Sequence, residues 1–225
     1  MLKSLDYKVS WEIKEPSIKA AMTDYAKAEV EKMAPLFQFL KTEYPSLNEF
    51  LEDTTDDTTN DPIEKIQKNI STLKQIKRAG KLASLFLKGE KAQYFNEVFN
   101  DFNSLYDFYI QFAPISQQFY LETARAMQQL ASERKIPLEE VVGNQNYMDE
   151  VARKVFPTRQ EAEVFFETFE KILNLSTPLV RGFAALGIVA DNQIPTEEAT
   201  NALQQATLEY RLKELDRIYA IKDSF

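Results

Sequence analysis

Residues 5–14 alternate. Leu5, Tyr7, Val9, Trp11 and Ile13 are apolar, and Asp6, Lys8, Ser10, Glu12 and Lys14 are polar. A period of two in β-favouring residues predicts a half-buried strand or extended arm over 5–13, ended by Pro16. No second strand is predicted, so the unpaired backbone of this arm calls for a second copy or a protein partner, with Tyr7, Val9, Trp11 and Ile13 as anchors.

Almost everything after Pro16 has the helical period. Ser17 is the expected cap of a helix running towards Tyr44, and Pro35 should break or kink it because proline removes a bond from the helical ladder. Ser46 and Glu49 form a capping box for a short helix over 47–52. Asp61, Pro62 and Glu64 open a further helix, whose seam is Ile63, Ile66, Ile70 and Leu73 and whose end is expected near Gly80 or Gly89. Residues 90–112 carry aromatic stripes on two faces, which predicts a central helix covered on both sides and ended by Pro114. Further helices are expected over 115–134, one turn over 137–142, 146–155 capped by Asn146, and 158–175 opened by Thr158 and Glu161. Two more follow, from Thr177-Pro178 to Ala190 and after Thr196. The pattern predicts an all-α, single-domain bundle of about eight helices over 17–225, preceded by the arm at 1–16 and containing an acidic loop at 52–61 expected to be flexible.

Composition narrows the chemistry. The 225 residues include no cysteine and no histidine. Disulfides, thiolate nucleophiles, Ser-His and Cys-His pairs and histidine metal ligands are therefore excluded within this sequence. Any catalysis would rest on carboxylates, Lys, Arg or Tyr. Five glycines in the whole chain agree with helices rather than turns of sheet. A net charge of −8 argues against a surface that grips nucleic acid throughout. No N-terminal signal pattern is read, and the apolar run 179–190 is shorter than the ~20 residues that span a bilayer, so a cytoplasmic location is expected.

Two stretches carry candidate chemistry. The acidic run 52–64 places Asp53, Asp57, Asp61 and Glu64 at oxygen-ligand spacings of a calcium loop. Thr58 stands where that loop needs glycine, so the preferred reading is a linker followed by a helix cap, with no metal and no cofactor. Glu163, Glu167 and Glu170 share a helix face, but no Glu-x-x-Asp completes a magnesium site, so a solvated face is expected.

The second stretch is basic. Residues 65–88 carry Lys65, Lys68, Lys74, Lys77, Arg78, Lys81 and Lys88 and no acid. Ile66, Ile70, Leu73, Ile76, Leu82, Leu85 and Phe86 are assigned to its other face. Core packing against 90–112 is the preferred reading of that face; attachment to an anionic membrane or an acidic partner is the alternative. The leading functional expectation is a non-catalytic structural or adaptor protein that assembles with itself or a protein partner through its arm and helix faces. A peripheral binder of an anionic surface comes second, and a carboxylate-dependent metal enzyme third. No small-molecule substrate is indicated, and nucleic acid is disfavoured as a partner.

Overall fold

Three of the expected caps are in place. Asp61 accepts a hydrogen bond from the N–H of Ile63, Thr158 from that of Glu161 and Thr196 from that of Ala199. Each satisfies a backbone donor that the first helical turn leaves without a partner. Two caps differ from expectation. Pro16 starts the first helix with Glu15 as its cap, and no side chain bonds there. Asn144, not Asn146, caps the short helix before Val155, accepting from the Asn146 N–H.

The computed structural model describes residues 15–48, 51, 61–187 and 194–220. The expected strand over 5–13 and the loop over 52–60 lie outside them. Among the described residues there are seven α-helices and no strand: α1 (Pro16–Glu43), α2 (Pro62–Phe86), α3 (Glu90–Arg134), α4 (Leu138–Gly143), α5 (Gln145–Val155), α6 (Arg159–Ala185) and α7 (Glu197–Tyr219). A 3-10 turn, Pro45–Leu47, follows α1. The fold is an all-α multi-helix bundle.

Prolines explain why expected helices merged. Pro35, Pro114 and Pro178 all lie inside helices rather than at their ends. An internal proline costs a helix about 3 kcal/mol. Tertiary burial outweighs that penalty where the flanking turns are packed. Phe112, Ala113, Ser116 and Gln117 around Pro114 are all buried. At ~1.5 Å per residue, the 45-residue α3 is roughly 67 Å long.

α3 is the axis of the molecule. Near its start, Val98, Phe102 and Leu105 pack with Leu179 of α6 and the half-buried Leu73 and Ile76 of α2. Its second half joins the main core, from Ile18 and Met22 of α1 and Ile63, Ile66 and Ile70 of α2 to Val151 of α5 and Phe165 of α6. Phe119, past Pro114, stacks on Phe156 and lies 4.6 Å from Phe165 between ring centroids. Within 90–112, Phe95, Phe102 and Phe112 are buried but Tyr94 is 40% exposed, so the expected cover on both faces is incomplete at the start of the helix. A smaller cluster joins Leu40, Leu47 and Leu51 to Ala199 and Leu203.

α3 ends in a left-handed Lys135, with the Ile136 N–H donating to the Ala131 carbonyl in the Schellman pattern. The reversal between α2 and α3 is tighter. It uses Gly89 at φ 65° and ψ −148°, a backbone region open in practice to glycine alone.

Candidate functional site

Charged residues from three helices meet beside a cavity of about 60 Å³. Lys32 and Glu29 of α1 lie 3.1 Å apart, and Arg211 of α7 lies 3.0 Å from Glu29 and 3.5 Å from Glu214. Arg217 pairs with Glu214 at 3.3 Å and with Asp149 of α5. Three cations face three carboxylates, so the group is neutral. Burial alone would raise the Glu29 carboxyl, but Arg211 and Lys32 outweigh it and hold Glu29 below the usual carboxylate value. A carboxylate held this way is a weak base.

The tyrosines around the network keep their protons. Burial pushes Tyr25 well above its ordinary value, helped by Glu29, and takes Tyr120 up to about 12. None of these shifts brings Glu29, Tyr25 or Tyr120 towards neutral pH. The network ties α7 to α1 and α5 as a neutral clamp of ion pairs.

Of the remaining carboxylate candidates, Asp61, Glu64 and Glu163 are also engaged. Lys19 of α1 lies 3.6 Å from Asp61 and 3.5 Å from Glu64, which puts a cation between them, while Asp61 also caps α2. Asp53 and Asp57 lie outside the described residues. Among the described residues no group of three or more acidic side chains could hold a metal ion. Glu163 is held by Arg159 at 2.7 Å. Burial, then Glu167, raises the Glu170 carboxyl, which lines an open groove with Asn174, Asn201 and Gln204. The arm anchors Tyr7, Val9, Trp11 and Ile13 also lie outside the described residues.

Among the described residues, the α2–α3 hairpin carries the three most exposed large apolar side chains. Ile63, Ile66 and Ile70 are buried, as expected of a core helix. Leu82, Leu85 and Phe86 are not: they are 60%, 73% and 81% exposed. The assignment of all seven apolar residues to one face is therefore wrong, and helical phase gives the reason. At 100° per residue, Leu82 stands about 160° from Ile66 and Phe86 about 160° from Ile70. The last turns of α2 thus present apolar side chains on the side away from the core.

The cations divide as well. Lys68, Lys74, Arg78, Lys81 and Lys88 are exposed, and among the described residues none of them has an ion-pair partner. Lys91, at the start of α3, joins them. Lys77 is turned inward instead, 3.2 Å from Asp107 and 3.9 Å above the ring of Tyr106. Lys65 is half-buried and engaged. At the hairpin end the unpaired cations Arg78, Lys81, Lys88 and Lys91 accompany the exposed Leu82, Leu85 and Phe86, with Glu90 the one acid over 65–91.

Gly80 and Gly182 let neighbouring helices close on α3 at this end. A Cβ on Gly80 would stand 2.0 Å from the Phe99 ring, and one on Gly182 would stand 2.8 Å from both methyls of Val98. The hairpin is therefore seated up to Gly80, and the apolar group lies just past that contact. Among the described residues no helix is long and apolar enough to cross a membrane. No family model, curated protein or solved structure matches this chain.

Sequence reasoning missed two features. The phase of Leu82 and Phe86 was legible in their spacing from the isoleucines. The Glu29–Arg211 pair spans 182 residues, and no local pattern announces it.

Proposed function

We propose that this protein works by contact rather than by chemistry, and that its working surface is the end of the α2–α3 hairpin, which attaches to an anionic lipid surface. The observation that carries this reading is the exposure of Leu82, Leu85 and Phe86 beside unpaired cations. Exposed leucine and phenylalanine in water forgo about 1.5–3 kcal/mol each relative to full burial. A basic residue close to an anionic leaflet contributes about 1 kcal/mol. Three apolar side chains with four or more cations are enough for reversible attachment.

The same features weigh against other occupants. A stable protein interface takes roughly 800 Å² from each partner, more than three side chains supply. A phosphate backbone would engage the cations and leave the leucines in water. Lipid needs no matching shape and takes both.

Co-sedimentation tests the reading. The full chain should pellet with vesicles of phosphatidylcholine and phosphatidylserine and stay in solution with phosphatidylcholine alone. Lys81→Glu with Lys88→Glu should weaken the pelleting, and salt should weaken it further because exposed charges are screened within ~8 Å at physiological ionic strength. Pelleting indifferent to phosphatidylserine, or none at all, sinks the proposal.

A further inference from the structure

Resting on that reading, we infer that attachment is oblique: the final turns of α2 enter the lipid interface with Leu82, Leu85 and Phe86, while the rest of the helix stays clear of the lipid. Three observations set this geometry. The inward face of α2 is already occupied, since Ile63, Ile66 and Ile70 are buried in the core and Gly80 closes on Phe99. That face cannot turn to lipid without opening the bundle.

The outward face changes character along its length. Lys68, Ser71 and Gln75 make its first part polar, and Leu82 and Phe86 make its last part apolar. Only the last part has anything to bury. It extends six residues past Gly80, or ~9 Å of helix.

The connection limits the depth. Leu87 donates to the Ala83 carbonyl, and Ala92 and Gln93 donate to that of Gly89. The non-helical backbone at Lys88 and Gly89 needs water, so the hairpin end stays at headgroup level instead of crossing into hydrocarbon. Lys81 and Lys88 can lie along the apolar patch with their ammonium groups among the headgroups. The phosphates of anionic lipids are the complementary charge.

Site-specific fluorescence tests the geometry. The chain has no cysteine, so Phe86→Cys and Ser71→Cys each create a unique attachment point for a polarity-sensitive dye. Both positions are exposed, so neither substitution opens the core. With phosphatidylserine vesicles, the dye at 86 should shift to the blue and brighten, and the dye at 71 should not change. Shifts at both positions would mean that α2 lies flat, overturning the oblique geometry. Co-sedimentation with no shift at either position would leave anionic attachment standing and overturn insertion. Loss of co-sedimentation by the unlabelled chain would remove the proposed function as well. Unlabelled Leu85→Ser with Phe86→Ser provides the dye-free check. Its affinity for the vesicles should fall about tenfold or more, as two apolar side chains leave lipid, and an unchanged affinity overturns the inference.

Discussion

Gly80 and Gly182 show how a single hydrogen atom can set the distance between helices. Glycine inside a helix is ordinarily worse than alanine by about 0.5–1 kcal/mol, so an exposed helical Gly→Ala change stabilises. Here the sign should reverse. The Phe99 ring is stacked between Phe95 and Phe102 and has little room to retreat from a Cβ at residue 80. Val98 is buried and β-branched, and faces Gly182 with both methyls. Gly80→Ala and Gly182→Ala are each expected to destabilise by about 1–3 kcal/mol, the usual range for overpacking. Urea unfolding followed by circular dichroism measures it, and a gain in stability at either site would show that α3 can move aside.

At the scale of one element, α2 is a core helix at its start and a surface helix at its end. Ile70 is 8% exposed and belongs to the main core, so Ile70→Ala should cost about 2–5 kcal/mol. Leu73 was expected to match it. It is only half-buried, at the edge of the cluster around Phe102, and Leu73→Ala should cost clearly less. Equal losses in the unfolding free energies of these two variants would contradict the packing described for the helix.

Helix starts were readable from local chemistry, because Asp61, Thr158 and Thr196 satisfy backbone groups within their own first turn. Helix ends were not. Pro114 and Pro178 carry local breaking signals that side chains remote in sequence overrule. The candidate site was half legible. Its cations were visible as a run, but the exposure of Leu82 and Phe86 appears only once the phase of α2 is fixed by Ile66 and Ile70. Whether each lysine is free depends on partners elsewhere, as Lys77 and Asp107 show.

Across the whole molecule, the buried tyrosines beside the clamp between α1, α5 and α7 make stability sensitive to alkali. Tyr120 titrates at about 12 in the folded chain, raised by burial and then by Glu29, against an unfolded value of ~10. Tyr25 is raised in the same direction. A raised value means that the unfolded chain loses these protons first. The stability they confer is complete below pH ~10 and falls as pH rises through the folded value. Melting temperature should therefore decline between pH ~10 and about 12. Tyrosinate absorbance should show a late phase that appears together with unfolding. Nearly complete tyrosinate formation by pH ~11, as for free tyrosines, without loss of helix would refute this.

The length of the α2–α3 hairpin separates local charge from net charge. Outside residues 65–91, 34 acidic residues outnumber 19 basic ones. Phe86 lies 16 residues beyond Ile70, or ~24 Å along the helix. That is about three screening lengths at physiological ionic strength. A negatively charged object that meets Phe86 is therefore governed by the charges of the hairpin end, Arg78, Lys81, Lys88 and Lys91 against Glu90 and Glu97, while repulsion from acids beyond the foot of α2 is attenuated roughly twentyfold by mobile ions. The same molecule can thus be retained by an anion exchanger through its bulk and still present a cationic point to whatever it touches first. At low ionic strength the two would interfere, so its approach to a negative surface should be fastest at an intermediate salt concentration.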